Sequence, residues 1–342
     1  MKAVYIGILT PGTTSRMRAE WLRRLRPEWT WQWIDTDGPM RSCHRLWQSL
    51  AFRAKVGPAV EAVQRAVMGH FAGATWDWVW VDKGVFLGPE QVLGLRERAG
   101  RMVHFTPDTA FHANRSRLFY ASMGSYDTLV TTKSFEVAEY ERRVGAEKVI
   151  LTTQGYDAAI HYPRVAGAGR RREVVFVGLA EPDRERCLGL FLEQGIPVRL
   201  AGWGWGRFLA RWGSAPHLHF EGEGLFGDGY AELLSGSWVG LGLLSKRFPE
   251  LHTTRTFEIP ACGAILATER TCDTERFFGD GEAIFGANYG ELAVKVKALL
   301  ESEGEGELGA WAEAGRRRVL AEGRDYGSLL GTLLQQAESR TN

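Results

Sequence analysis

From Glu250 to Ala267 the chain reads Glu-Leu-His-Thr-Thr-Arg-Thr-Phe-Glu-Ile-Pro-Ala-Cys-Gly-Ala-Ile-Leu-Ala. Two carboxylates, Glu250 and Glu258, bracket a Thr253-Thr254 pair suited to capping a helix. A helix starting there leaves N–H groups free for a phosphate. It also carries Thr254 and Glu258 on one face, with Glu258 about 5 Å beyond the first amides. That face offers donors for a diphosphate and acceptors for a vicinal diol such as ribose. An acidic pair on a solvated helix is the plain alternative. Against it stand Ala261, Gly263 and the run Ala264 to Ala267, which suit a helix passing straight into a buried parallel strand. Pro260 removes a helical hydrogen bond, so the helix is expected to be short or kinked.

Other polar residues fall at the ends of expected strands. Asp82, Lys83, His104, Asp108 and Gln154 would share one edge of a parallel sheet and face one cleft. His112 belongs to the same set, and His104 would hydrogen-bond a ligand hydroxyl if it lined that wall. Asp35-Thr-Asp37-Gly38 has the form of a divalent-metal pair but reads better as a turn. His217-x-His219 lacks a third ligand, so no metal site is expected.

The elements that must position these groups follow an α/β rhythm. Strands are expected near 4–9, 29–34, 76–81, 100–105, 127–131 and 148–151, with helices between them. The Thr10-Pro-Gly-Thr-Thr-Ser-Arg16 turn after the first strand lacks the full dinucleotide fingerprint. Residues 162–172 are rich in Pro, Gly, Ala and Arg and read as a linker. The rhythm then restarts, with strands near 174–177, 197–201, 217–220, 238–244, 264–267 and 283–285, and a helical end from 308 to 336 broken near Gly323. The expected domains are 1–163 and 164–325, with a C-terminal helix over 326–342 able to cross back to the first domain.

At 342 residues the length suits two domains of ordinary size. Lys+Arg 42 against Asp+Glu 41 leaves a formal charge of +1, so no basic footprint marks a nucleic-acid partner. No apolar run is long enough for a transmembrane segment and Met1 to Leu9 reads as a strand, so a cytoplasmic protein is expected. Cys43, Cys187, Cys262 and Cys272 form no Cys-x-x-Cys and are read as reduced and structural. The 13 tryptophans, several in Trp29-Thr-Trp-Gln-Trp33 and Trp76-Asp-Trp-Val-Trp80, are read as packing on sheet faces.

Two β/α halves of this kind resemble the GT-B architecture: two Rossmann-like domains facing each other across a cleft. Glu250-x7-Glu258 followed by Ala261 and Gly263 resembles the signature of group 1 glycosyltransferases. Thr253 to Gly263, Glu269-Arg-Thr271 and Phe277-Phe278 are similar to the CgeB-like branch, often found with surface-polysaccharide and spore-coat genes. Phe176-Val-Gly178, Gly202-x-Gly204 and Leu244-Ser-Lys246 fit it too. The likeness is specific over about 174–300 and general before that.

The resemblance implies a glycosyltransferase, retaining and metal-independent, with no cofactor beyond a nucleoside-diphosphate sugar as donor and an unidentified acceptor (glycan, protein or small molecule). It would place the donor in the C-terminal half, with Glu258 on the ribose hydroxyls and Glu250 beside the sugar or its phosphates. The amides of Thr253 and Thr254, with Arg255, Gly178 and Gly204, would meet the nucleotide. A departing diphosphate needs cations. Arg184, Arg207 and Lys246, each placed at the tip of an expected strand, are the candidates, though their spacing departs from the family's usual Arg and Lys. A sugar-nucleotide epimerase of the same fold and a catalytically silent nucleotide-sugar-binding or scaffold protein are the rival readings.

Overall fold

The computed structural model describes residues 1–71 and 73–340. It divides into two compact units, Met1–Thr153 with the chain from Tyr326 onward, and Gln154–Asp325.

The first unit alternates strand and helix: β1 (Lys2–Gly7), α1 (Thr14–Leu25), β2 (Thr30–Asp35), α2 (Asp37–Arg41), α3 (Arg45–Ala54), α4 (Pro58–Gly69), β3 (Trp76–Asp82) and α5 (Pro89–Arg96). It continues with β4 (Ala99–Thr106), α6 (Arg117–Ser122), β5 (Thr128–Thr131), α7 (Val137–Val144) and β6 (Val149–Leu151). All pairings are parallel, in the order β2-β1-β3-β4-β5-β6. Parallel strands covered on both faces need apolar residues on both. Trp78, Val79, Trp80 and Val81 of β3 are accordingly all buried. Trp29 packs against Trp31 and Trp78, with ring centroids 5.7 and 5.4 Å apart.

The second unit repeats the scheme: β7 (Arg171–Val177), α8 (Pro182–Glu193), β8 (Val198–Ala201), α9 (Gly206–Trp212), β9 (Leu218–Phe220), α10 (Gly227–Ser235) and β10 (Ser237–Leu241). Then come α11 (Arg255–Ala261), β11 (Ile265–Glu269), α12 (Cys272–Phe277), β12 (Ile284–Gly286), α13 (Tyr289–Ser302) and α14 (Glu305–Ala321). Its parallel sheet runs β12-β11-β10-β7-β8-β9, with a hydrophobic core on each face. Strand order reverses between β7 and β10, and between β1 and β3 in the first unit. Such a reversal opens a crevice at the carboxyl ends of the strands. Helix α15 (Tyr326–Ser339) packs on α1 within the first unit, burying Leu330, Leu333 and Leu334.

Some elements differ from expectation. The units divide at Thr153–Gln154 and not at 163–164. The expected linker is tied into the second unit: Ser235 Oγ accepts from the amides of Arg164 and Val165 at 2.7 and 3.0 Å, and Arg170 donates to the Gly263 carbonyl. Helices α2, α5 and α9 were not expected. They are short, and Gly38-Pro39, Gly94 and the Gly-Trp run before α9 mask their periodicity. Asp35 closes a turn, its Oδ1 accepting from Leu9 N and its Oδ2 from Gly38 N, at 3.0 and 2.7 Å.

Candidate functional site

Two chain turns meet at the strand reversal of the second unit. After β7, residues Gly178 to Glu181 lead into α8. Past β8, Gly202 has φ of +128° and lies so close to the Gly178 carbonyl that a Cβ would collide with it. Trp205 Nε1 donates to that same carbonyl at 2.9 Å. Gly178 and Gly204 are thus part of the close-packed floor of the site, and Gly204 lies next to Ala180.

Arg255, the first residue of α11, bridges the two strand ends. Its Nη1 donates to Val177 O at 3.3 Å and its Nη2 faces Leu243 O at 3.5 Å. Arg184, in the first turn of α8, donates to Leu179 O at 3.1 Å and pairs with Glu181 Oε1 at 3.0 Å. Both guanidiniums lie over the Phe176 ring, at 5.7 Å for Arg184 and 5.5 Å for Arg255. Each leaves its buried Nε without a partner among the described residues. Burial, and then the neighbouring Arg255 charge, push Arg184 down to about 10, against the pull of Glu181, Glu250 and Glu269.

The loop after β10 brings in the remaining charges. Ser245 N donates to Glu250 Oε2 at 3.0 Å and Ser245 Oγ to Glu181 Oε2 at 2.8 Å. Lys246 Nζ pairs with Glu269 Oε1 at 2.5 Å, while Glu269 Oε2 accepts from Leu244 N at 2.8 Å. Arg184, Arg255, Lys246 and Glu250 therefore join Glu181 and Glu269 in one cluster. Arg184 and Lys246 sit in a helix turn and a loop, not at strand tips as expected. Arg207 is not in this cluster. It stands exposed on α9, lining a groove between α8 and α9 with Glu185 and Arg186.

Glu258 is 5 % exposed and points toward α10. Tyr230 donates its hydroxyl to Glu258 Oε2 at 2.8 Å, and His161 Nε2 stands 4.0 Å from Oε1. His161 Nδ1 accepts from Asp157 N at 3.1 Å, which puts the ring proton on Nε2, facing the carboxylate. Burial and the Glu258 charge raise the Tyr230 phenol well above its usual range, so it stays a donor. A carboxylate has about four lone-pair sites, which leaves acceptor capacity for a ligand.

The threonines differ from expectation. Thr254 stands before α11 with φ −57° and ψ −38° and no side-chain cap bond, because its backbone is already helical. Thr256 Oγ1 instead accepts from Thr253 N at 3.1 Å, and the buried Thr253 hydroxyl has no partner among the described residues. Helix α11 runs seven residues with Pro260 inside it. Sequence reasoning missed His252, whose Nε2 accepts from Gln154 N at 3.2 Å while Nδ1 meets Asp273 at 2.8 Å, anchoring the loop to α12. It also missed Tyr230, His161 and Glu181. Glu269, at the end of β11, was within reach of the strand-end rule.

At the strand reversal of the first unit Arg18 and Asp82 form a buried ion pair at 2.7 Å, and Tyr5 donates to Asp82 at 2.8 Å. Next to it, Lys83 adopts a left-handed φ of +67° and pairs with Asp108 at 2.6 Å. Asp108 raises the Lys83 ammonium above its usual range. His104 has no exposed surface and stacks on Phe119 at 4.3 Å. Its Nε2 donates to Lys83 O at 3.0 Å and its Nδ1 faces Thr106 Oγ1 at 3.0 Å. The structure therefore makes His104 a support for the Lys83 turn and does not place it on a ligand-facing wall. His112 is bonded to buried Glu136 at 3.0 Å. A cavity of about 110 Å³ opens here, walled by Ile6, Met40, Phe52, Phe86 and Phe119, with Asp37, Lys83 and Asp108 among its polar groups.

Residues 184–334 match the family described as glycosyl transferase-like. No curated protein sequence matches the chain. Among solved structures, Anabaena HepE in complex with UDP and glucose superposes with a TM-score of 0.66 at 12% identity, over 99% of this chain and 100% of that one. A glycosyltransferase from Rickettsia africae gives 0.65 at 11% identity, covering 99% and 98%. A UDP-forming trehalose-phosphate synthase from Burkholderia vietnamiensis gives 0.65 at 12% identity, covering 99% and 100%. The fold is GT-B, and both the family match and the fold are those of glycosyltransferases.

Proposed function

We propose that this chain, a GT-B glycosyltransferase by fold and family match, moves a sugar from a nucleoside-diphosphate donor to an acceptor hydroxyl, with retention and without a bound metal. The observation that carries the reading is the Arg184–Arg255 pair at the strand reversal of the second unit. Two guanidiniums over one aromatic ring, Arg184 buried and Arg255 partly buried, repel each other, and each keeps an unused Nε donor among the described residues. A diphosphate supplies the compensating charge and the missing acceptors.

In the reaction the bond from the anomeric carbon to the phosphate oxygen breaks, leaving its electron pair on the nucleoside diphosphate. The acceptor oxygen forms the new bond and passes its proton to the departing phosphate oxygen. Arg184, Arg255 and Lys246 stabilise the charge that grows on the leaving group. Glu258, held by Tyr230, takes the ribose hydroxyls, and Glu250 lies beside the sugar or its phosphates. The acceptor side belongs to the first unit, where the cavity near Lys83 and Asp108 offers apolar walls and a polar end. The acceptor is a glycan, protein or small molecule, and the expected setting is cytoplasmic.

Because HepE is a UDP-glucose complex, UDP-sugars head a thermal-shift panel of nucleotides and nucleotide sugars. A ligand present at 100 times its Kd adds about 2.7 kcal/mol to stability. At least one nucleoside diphosphate should raise the melting temperature, and Glu258→Ala should remove the shift. If no nucleotide moves it, the reading fails. Isomer formation from the donor with no acceptor present would assign an epimerase instead.

A further inference from the structure

Helix α3 turns its large apolar side chains away from the core of its own unit. Of its residues only Ala51 is buried. Leu46 is 73 % exposed, Val56 just past the helix is 51 % exposed, and Trp47 and Leu50 are exposed as well. Leu46, Leu50 and Ala54 follow one line by the i, i+4 rule, with Trp47 beside them. A Cβ at Gly57 would meet Leu50 at 3.4 Å and Trp47 at 3.5 Å, so the returning chain closes one continuous apolar patch.

Charge around the patch has one sign. Arg45 and Arg53 are exposed along one border of the apolar line, Arg53 three positions from Leu50 and seven from Leu46, and neither forms an ion pair among the described residues. No Asp or Glu occurs from Gly38 to Val60, and Arg45 and Arg53 carry the exposed charge there, because Arg41 pairs with Asp37 at 2.6 Å and Lys55 is buried, donating to Phe52 O at 2.6 Å. A helix with an exposed Leu and Trp face, arginines along its border and no acidic residue of its own suits the boundary of an anionic bilayer. There the apolar face enters the acyl region and the cations meet headgroups. Phe52 and Lys55, from the same segment, wall the cavity of this unit, so the patch and the cavity adjoin.

We propose that α3 docks the chain on an anionic lipid surface. The docking is independent of the glycosyl-transfer reading, since it concerns α3 alone and is read without any substrate. Ten residues bury little, so binding is reversible and needs both the apolar and the charged contribution.

The test is flotation of the intact protein with vesicles of phosphatidylcholine alone and with added phosphatidylglycerol. The protein should float with the anionic vesicles, less so in high salt, and hardly at all with the neutral ones. Arg45→Glu with Arg53→Glu should weaken partitioning about twentyfold or more. Leu46→Glu should abolish it while circular dichroism and melting stay unchanged, as expected for exposed positions. The proposal is overturned if the protein never floats, or if flotation survives both variants. It is equally overturned if size exclusion shows a dimer that Leu46→Glu splits, which would give this face to a second copy of the chain.

Discussion

Tyr230 donates a hydrogen bond to a buried carboxylate, and such bonds contribute about 1.5–3 kcal/mol. Tyr230→Phe should lower the urea unfolding free energy by that order and weaken nucleotide affinity as well, because Glu258 loses the group that fixes its orientation. Unchanged affinity would detach Glu258 from the ligand. His104 gives the pH dependence of the first unit. Burial pushes its imidazole down to about 4 from 6.5, so between those values the unfolded chain binds a proton that the folded chain refuses. Stability is therefore complete above pH 6.5 and falls by roughly 3 kcal/mol as pH drops to 4. Urea midpoints across this range should show that slope in the wild type and lack its His104 share in His104→Gln.

Elements hold the site through close backbone approach. Gly202 sits at φ +128° with the Gly178 carbonyl where a Cβ would be. Gly202→Ala should push the β8–α9 turn off the β7–α8 turn, at a cost of about 1–3 kcal/mol. Its near-ultraviolet circular dichroism should change, because Trp205 hangs on the same carbonyl. The strand pattern was legible because parallel strands buried on both faces read as apolar runs, as in Trp76–Asp82 and Ser237–Leu241. Helix α11 was legible as a short helix from Pro260. Its cap was not, because the bond from Thr253 N to Thr256 Oγ1 depends on backbone angles that threonine identity leaves open.

At the scale of the molecule, the doubled α/β rhythm was readable from the restart near Val174, but the dividing point was not. Residues 162–172 look like a linker by composition, yet Arg164 bonds to Ser235 of α10 and Arg170 to Gly263 within the second unit. The site shows the same division. Glu250, Glu258 and Lys246 stand out through spacing within one stretch. Tyr230, His161 and Glu181 join them only through folding, from roughly 30 to 100 positions away, and no local pattern marks such partners. Arg184 and Arg207 had equal claims in the sequence, and the strand order put the first after β7 at the reversal and the second after β8, in the groove between α8 and α9.

The central claim is that the Arg184–Arg255 pair holds a diphosphate, and calorimetric titration with the nucleoside diphosphate and its monophosphate tests it most directly. The wild type should bind the diphosphate more tightly. Arg184→Ala and Arg255→Ala should each reduce that affinity tenfold or more, by about 1.5–3 kcal/mol for a hydrogen bond to a charged group, and should erase the preference over the monophosphate. Equal affinities in the wild type and both folded variants would contradict the account.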